Sequence, residues 1–174
     1  ANDLDEIGAR LVAASLADPD APRLVGASWR YEAVPGATPH RTMIDQFVAD
    51  RPVYLLSDDL HSSWLNSAAL AELGITPDTP DPRGGRIVRD DTTGEATGHL
   101  LELAHYERVT PLLEDVTADE IDEFVRAAMN VYAAAGVTTI VDMAMVEAEL
   151  ESLARLRDAG ELTEGFAPVA AELA

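Results

Sequence analysis

The stretch RPVYLLSDDLHSSWLNSAAL, residues 51–70, holds the densest group of ionisable and aromatic side chains in the sequence. Its apolar run, residues 53–56, is short and follows a proline, which predicts a buried strand rather than a helix. The side chains that come after this run include Asp58, Asp59, His61 and Trp64. Enzymes of the α/β class place their chemistry where a strand ends and the chain turns towards a helix. The pattern therefore predicts a functional site directly after residue 56.

The rest of the first part of the chain alternates between helix and strand signals. Asn66 is a good N-cap for an Ala/Leu-rich helix over residues 67–73, and Gly74 ends that helix. Upstream, apolar spacing and the positions of proline and glycine predict three further elements. These are a helix over 4–16, a strand over 24–29 and a short helix over 41–48.

The character of the sequence changes after Gly74. Prolines and glycines are concentrated between residues 77 and 85, so this segment is neither a helix nor a central strand. Residues 86–89 and 96–100 have the pattern of a β-hairpin with Gly94 in its turn. We expect the proline-rich loop and the hairpin to form an insertion outside the main layers.

The last part of the sequence returns to a regular pattern. Thr117 and Glu120 predict a capping box at the start of an amphipathic helix that ends at Gly136. Residues 137–141 form a β-branched run typical of a parallel strand buried on both faces, and Asp142 closes it. A second helix is predicted over 146–159. We expect the 137–141 strand to lie parallel to the 53–56 strand, as neighbours or near-neighbours in one sheet, because each is followed by a helix.

Together these elements predict an α/β fold in one partial domain, residues 1–174. We divide it into early strand and helix units (1–74), an inserted loop and hairpin (75–103) and a helix–strand–helix unit (104–174). With 174 residues, 47% of them apolar, the chain can bury a hydrophobic core.

Charge and composition exclude several classes of function. The formal net charge is −20, so binding to nucleic acid or to an anionic membrane surface is not expected. The sequence has no lysine and no cysteine, which excludes a Schiff base, a P-loop, a carbamylated lysine and thiolate zinc sites within this chain. It shows neither a long apolar span nor a signal-peptide pattern, and we expect a cytoplasmic protein.

Three strings in this order resemble the amidohydrolase 3 family: RPVYLLSDDLHSSWLNSAALAELGI, TPDPRGGRIVRDDTTGEATGHLLE and AAAGVTTIVDMA. The family consists of metal-dependent hydrolases, among them enzymes like N-substituted formamide deformylase. The resemblance covers about residues 23–162. It implies a segment of a (β/α)8 TIM barrel, cleavage of amide-type C–N bonds other than peptide bonds, and a small-molecule amide-type substrate.

The resemblance also implies a divalent metal, zinc or similar, in the full-length enzyme. The family binds it with a His-x-His pair upstream of this region and with a lysine, two histidines and an aspartate downstream. No counterpart is found here, since the histidines are isolated and lysine is absent. We therefore expect an internal segment with no catalytic residue and no metal of its own, inactive in isolation.

Some residues match family positions and become candidates for substrate binding. Asp59 and His61 fall where the family has Asp-Gly-His, and His61 either contacts substrate or is a structural histidine bonded to a neighbouring carboxylate. Leu60 replaces the glycine, and because leucine tolerates positive φ poorly, this argues against the usual backbone geometry. Glu102 matches a glutamate after the family's hairpin, with a surface ion pair as its alternative.

Asp142 and Trp64 complete the candidate set. Asp142 lies where the family often carries an acidic residue or a histidine, although it could equally fix a loop or cap a helix. Trp64, like Trp29, either lines a substrate pocket or fills the core. The remaining histidines are assigned no chemistry; they are His40, His99 and His105.

A second hypothesis remains open beside the enzyme segment. The chain could be a non-catalytic α/β module derived from the same fold that serves in binding or oligomerisation. If the chain is a barrel segment, some of the predicted strands lack neighbours within the chain, and open strand edges favour pairing with other chains unless the fold closes differently from the parent barrel. We therefore expect a homodimer or higher oligomer.

Overall fold

A computed structural model describes residues 3–112, 116–142 and 147–162. Its described residues divide into two compact units, residues 1–114 and 115–174, which are treated separately below. The first unit is built on a mixed sheet, and the second contains two long helices. The three-part organisation expected from the sequence stays a prediction.

The first unit contains one five-stranded sheet with the strand order β1-β2-β3-β5-β4. Its strands are β1 (Leu24–Trp29), β2 (Val53–Ser57), β3 (Ser62–Leu65), β4 (Gly85–Arg89) and β5 (Ala96–Glu102). Strands β1 and β2 are parallel, whereas β2–β3, β3–β5 and β4–β5 are antiparallel pairs. The helices of this unit are α1 (Leu4–Ala17), α2 (Arg41–Asp45), α3 (Ser67–Glu72) and α4 (Leu103–Arg108).

Most of the elements expected in this unit are confirmed, and two findings differ from expectation. Strand β3 was not predicted, because its sequence Ser-Ser-Trp-Leu lacks the alternation of a half-buried strand, although all four residues are buried. The expectation that the hairpin lies outside the main layers is wrong. Strand β5 pairs with β3, so that the hairpin extends the same sheet.

The sheet separates two hydrophobic clusters. Successive residues of a strand point to opposite faces, so Val53 and Leu55 pack on one side with α1 and α2, while Tyr54 packs on the other with α3 and α4. Both faces of β2 are therefore covered. This explains why the run over 53–56 is continuously apolar rather than alternating.

Asn66 connects strand β2 to helix α3. Its side-chain oxygen accepts hydrogen bonds from the Ala69 N–H at 2.9 Å and the Val53 N–H at 3.0 Å. Its amide nitrogen donates to the carbonyls of Arg51 at 2.9 Å and Val48 at 3.0 Å. The predicted N-cap is confirmed, and its side chain, fully buried, also satisfies three backbone groups outside the helix.

The second unit contains helices α5 (Ala118–Ala134) and α6 (Glu147–Asp158). The predicted capping box of Thr117 and Glu120 is present at the start of α5. Arg155 of α6 lies 2.8 Å from Asp122 of α5, and Arg126 pairs with Glu161. The first pair joins the two helices, and the second joins α5 to the residues that follow α6.

The prediction of a strand over residues 137–141 is wrong. The segment does not form a strand, and its Val137 and Val141 side chains are 41% and 59% exposed. A strand persists only where its backbone groups pair with another strand, and no described strand pairs with this segment. The parallel arrangement expected for 53–56 and 137–141 is accordingly not observed.

Candidate functional site

Three strands of the sheet end at the same edge. Strands β1, β2 and β5 run in one direction, because β1 is parallel to β2 and two antiparallel pairings relate β2 to β5. Strand β3 runs in the opposite direction and begins at this edge. We call the residues there the strand-end edge; they are Arg30, Tyr31, Ser57, Asp58, Asp59, Leu60, His61, Ser62 and Glu102.

His61 and Glu102 form an ion pair at the strand-end edge. The distance from His61 Nδ1 to Glu102 Oε2 is 3.0 Å, and both side chains are more than half exposed. The hydrogen bond to Glu102 raises the pKa of His61 above its usual value. Two candidates from distant parts of the sequence are thus brought together, and the Nε2 atom of His61 is left for another partner. Their role in substrate binding remains a prediction.

Asp59 is held by hydrogen bonds from its own turn. Its Oδ1 atom accepts from the Ser57 hydroxyl at 2.5 Å and from the His61 backbone N–H at 3.0 Å. The Ser57 hydroxyl is the main cause of the lowered pKa of Asp59, followed by the His61 N–H. Asp59 is therefore ionised at neutral pH and fixes the backbone that presents His61.

Leu60 adopts the backbone conformation that the sequence argued against. Its φ is 61°, in the left-handed region that glycine occupies easily and leucine occupies at a cost of roughly 1–2 kcal/mol. The Leu60 N–H donates to the Ser57 carbonyl at 3.2 Å, and the Asp59 bonds close the same turn. These local hydrogen bonds hold the left-handed turn without a glycine.

Trp64 lies within the core of the first unit. Its side chain is fully buried and packs edge-on against Trp29, with 5.6 Å between the ring centroids. The indole nitrogen of Trp29 donates to the Leu55 carbonyl at 3.0 Å, whereas the buried indole nitrogen of Trp64 has no hydrogen-bond partner among the described residues. This burial favours the core interpretation, and a substrate contact of Trp64 remains a prediction.

Asp142 belongs to the second unit, where it follows the segment that does not form a strand. Its side chain is exposed. The other candidates lie in the first unit, which is a separately described part of the chain. Its proposed role in substrate binding remains a prediction.

Sequence reasoning missed His99, which lies beside the strand-end edge. His99 pairs with Trp64 across β3 and β5, so both side chains lie on the same face of the sheet. The side chain of His99 is 8% exposed, and burial lowers its pKa from 6.5 to about 4. Alternation along β5 could have predicted this position, if the hairpin had been assigned to the main sheet.

Tyr31 and Ser62 join His99 in a polar group that sequence reasoning also missed. The Tyr31 hydroxyl lies 2.9 Å from Ser62 Oγ and 3.3 Å from His99 Nε2. The Tyr31 ring packs against Trp29, with 4.7 Å between centroids. Burial raises the pKa of Tyr31, and the nearby carboxylates Asp59, Glu102 and Asp58 raise it further. Tyr31 therefore stays a neutral hydroxyl next to the acidic residues of the edge.

His105 lies on the opposite face of the sheet. It is buried, its Nδ1 atom lies 2.5 Å from Ser63 Oγ, and burial lowers its pKa. The two adjacent serines of β3 thus lie on opposite faces of the sheet. Ser62 contacts Tyr31, which contacts His99, and Ser63 contacts His105 directly. Both hydroxyls are partnered, which explains how a strand that begins with two serines is buried completely.

The strand-end edge carries more acidic than basic groups. Arg30 pairs with Asp58 at 3.0 Å and His61 pairs with Glu102, while Asp59 has no cationic partner of this kind among the described contacts. Within the described residues, no three histidine, aspartate or glutamate side chains are placed to hold one metal ion. The residues described here therefore do not fit the metal site that the resemblance implies.

The described part of the chain also has no helix long and apolar enough to cross a membrane.

Comparison with known proteins places the chain in one family. The model of the family described as "Amidohydrolase family" matches residues 2–172. N-substituted formamide deformylase of Arthrobacter pascens is 37% identical over 124 residues, which is 70% of this chain and 22% of that protein. Protein LONG AFTER FAR-RED 3 of Arabidopsis thaliana is 35% identical over 120 residues, 69% of this chain and 20% of that protein.

A solved structure has the same fold over nearly the whole chain. The crystal structure of an uncharacterised metal-dependent hydrolase from Pyrococcus horikoshii OT3 matches 98% of this chain and 31% of its own, with a TM-score of 0.57 and 20% identity. The chain spans about a fifth of the length of the two curated relatives above. On the family match over residues 2–172, the chain belongs to the amidohydrolase family.

Proposed function

We propose that the chain is a segment of a metal-dependent hydrolase that cleaves amide-type C–N bonds other than peptide bonds. Water adds across the C–N bond, so that the acyl group leaves as a carboxylic acid and the nitrogen leaves as an amine. The single observation that carries the proposal is the meeting of Asp59 and His61, which follow β2, with Glu102, which ends β5, in a chain of this family. Strand ends are where α/β enzymes bind their substrates.

In this proposal the segment binds and orients the substrate. Glu102 holds His61 through Nδ1, and Asp59 fixes the His61 backbone, so Nε2 is presented to a polar atom of the substrate. We expect the divalent metal, zinc or similar, to be bound by residues outside the segment, because the sequence has neither the His-x-His pair nor the lysine that the family uses. The segment alone is then inactive, and its sheet is one part of a TIM barrel that the full enzyme closes.

The charge of the strand-end edge supports a neutral or cationic substrate. Three carboxylates lie there against one arginine and one histidine, and the whole chain carries a net charge of −20. An anionic substrate would be repelled by this field. N-substituted formamides, named in the description of one relative, are neutral amides of the kind that fits.

The experiment is a hydrolysis assay with the complete enzyme that contains this segment. N-pentylformamide and N-formylnorleucine form a matched pair, since the second differs from the first by one carboxylate on the same carbon chain. We expect release of pentylamine from the first and weaker turnover of the second. His61→Gln should reduce kcat/KM by about tenfold or more, whereas the control His40→Gln should leave it unchanged.

Two results would contradict the proposal. A complete enzyme that hydrolyses no amide, with its metal bound, would favour the alternative of a non-catalytic binding or oligomerisation module. Turnover by the isolated 174-residue chain would show that the chemistry resides in this segment.

Self-association is part of the same proposal. Strand β1 pairs with β2 on one side only among the described residues, and a groove of about 280 Å³ lies between β1 and α1. An unpaired strand edge is a surface on which another chain can add a strand. Light scattering coupled to size exclusion should show a homodimer or higher oligomer, and a monomer at high concentration would contradict this part.

A further inference from the structure

We propose that Tyr31 is a substrate-binding residue of the strand-end edge and donates its hydroxyl hydrogen to a neutral oxygen of the amide substrate. This inference rests on the proposed function and extends it to a residue that neither the family pattern nor the sequence analysis assigned. Three observations carry it: the arrangement of the hydroxyl's two partners, the position of the ring, and the charges around it.

The first observation concerns the two partners of the hydroxyl. Ser62 Oγ and His99 Nε2 lie 2.9 Å and 3.3 Å from the Tyr31 oxygen, and both partner side chains are buried. A phenol oxygen accepts hydrogen bonds and donates one. When Ser62 and the Nε2–H tautomer of His99 both donate to this oxygen, the hydrogen of Tyr31 is free for a third group. In that arrangement the described contacts contain no acceptor for the Tyr31 hydrogen.

The second observation is that the hydroxyl lies where the buried interior meets the edge. The Tyr31 ring is half-buried against Trp29, with 4.7 Å between centroids, and packs at 5.7 Å from the His99 ring. Two aromatic contacts, from Trp29 and Tyr31, hold the imidazole of His99, and Trp29 packs in turn against Trp64, the strand partner of His99. The hydroxyl is thus preorganised, which lowers the entropic cost of binding a substrate group.

The third observation is the surrounding charge. Asp58, Asp59 and Glu102 all act on the Tyr31 hydroxyl and disfavour the phenolate form. The described contacts of these carboxylates are to Arg30, Ser57 and His61, and none is to the Tyr31 hydroxyl. Their negative charge repels an anionic group, so this neutral donor is suited to a neutral acceptor, such as the carbonyl oxygen of an amide.

His99 and Ser62 act as positioning residues in this arrangement. They do not contact the substrate; they direct the hydroxyl of Tyr31. Replacing His99 by leucine removes the Nε2–H donor, whereas glutamine can place an amide N–H near the same point. Rescue by glutamine but not by leucine would therefore distinguish positioning from a general packing role.

The test uses the complete enzyme and two readouts, with N-pentylformamide as the probe. The first readout is the dissociation constant of the probe, measured by the fluorescence of Trp29 and Trp64, and the second is KM and kcat for hydrolysis. Tyr31→Phe should weaken binding and raise KM by about three- to tenfold, the size expected for one neutral hydrogen bond. Tyr132→Phe, an exposed tyrosine of α5, is the matched control and should change neither value.

The outcomes separate the two proposals. If the native enzyme hydrolyses the probe and Tyr31→Phe leaves both the dissociation constant and KM unchanged, the proposed role of Tyr31 is overturned and the proposed function is not. Binding of the probe without hydrolysis would overturn the proposed function, and a weaker dissociation constant for Tyr31→Phe would still support the contact. An enzyme that neither binds nor hydrolyses the probe would overturn both. His99→Leu that binds like the native enzyme would refute the positioning role of His99.

Discussion

The helices of the first unit and helix α5 of the second unit differ in how far they are buried. In the first unit, α1, α2, α3 and α4 each contribute buried residues to one of two clusters on the faces of the sheet. In the second unit, α5 has the clearest amphipathic sequence of the chain but no buried residue, and Phe124 and Val131 are 63% and 68% exposed. Periodicity predicts that a helix forms, whereas burial depends on what packs against it.

Replacing the N-cap residues of α3 and α5 tests this difference in burial, and the α3 cap should have the largest effect on stability. Asn66→Ala should lower the free energy of unfolding of the first unit by roughly 3–5 kcal/mol, because four buried backbone groups lose their partner. Thr117→Ala removes an exposed cap and should cost about 1 kcal/mol. Urea unfolding followed by tryptophan fluorescence reports on the first unit, since both tryptophans lie in it.

Circular dichroism in the same titration reports on the helices of both units and measures the Thr117 variant. Asn66→Asp serves as the matched control, because it keeps a capping oxygen but places a carboxylate against the carbonyls of Val48 and Arg51. It should be destabilising as well. Equal costs for Asn66→Ala and Thr117→Ala would remove the difference between a buried and an exposed cap.

Acid should affect the first unit next, through His99. Its pKa is about 4 in the folded chain and 6.5 without the protein environment, so the unfolded chain binds more protons between these values. Stability therefore rises with pH across this window, and about 3 kcal/mol is lost as the pH falls from 6.5 towards 4. Asp59 opposes this shift weakly, and the lowered pKa of His105 adds to the loss.

The measurement is urea unfolding at several pH values between 4 and 7. His99→Gln cannot titrate and should show a flatter dependence on pH than the native chain. The same slope in both chains would mean that His99 is not the cause. His61 should contribute with the opposite sign, since its pKa is raised and the stability it provides is lost as the pH rises through that raised value.

The smallest effect is expected in the second unit, from the pair of Asp122 and Arg155. Arg155 lowers the pKa of Asp122 to about 2, so the stabilisation is present above pH 3.8 and is lost as the pH falls towards 2. Because the Arg155 side chain of this pair is 41% exposed, Asp122→Asn should lower the helix melting temperature slightly at low salt and less at about 1 M NaCl, where charges are screened within about 3 Å. Equal losses at both salt concentrations would show that the pair is not electrostatic in origin.

Sequence patterns predicted those parts of the fold that depend on interactions between neighbouring residues. The Asn66 cap, the Thr117 and Glu120 capping box and the hairpin turn at Gly94 depend on a few neighbouring residues, and the structure contains all three. The failures concern contacts that a local pattern does not contain. The serines of strand β3 are buried with Tyr31 and His105 as hydrogen-bond partners, and residues 137–141 are irregular because no described strand pairs with them.

The residues of the candidate site also divide into those that a local sequence pattern predicts and those that it does not. Asp59 and His61 could be found from one short stretch, and the resemblance brought in Glu102 from 41 positions away. His99 and Tyr31 are isolated polar residues in the sequence, and their meeting depends on the pairing of β3 with β5, so the alternation along β5 is informative only once the hairpin is assigned to the main sheet. Leu60 shows the converse case, because hydrogen bonds of the turn outweigh the preference of the residue itself.

The hydrogen bonds of Asn66 also bear on the order in which the chain folds. They close loops of 13, 15 and 18 residues, whereas the pairings that bring β5 to β3 join residues roughly two to three times as far apart. Shorter loops cost less chain entropy to close, so contacts of low sequence separation form earlier in folding. The segment from Val48 to Ala69 is therefore suited to be the nucleus of the first unit. Asn66→Ala should slow refolding more than it speeds unfolding, and the hairpin should join the sheet after the rate-limiting step.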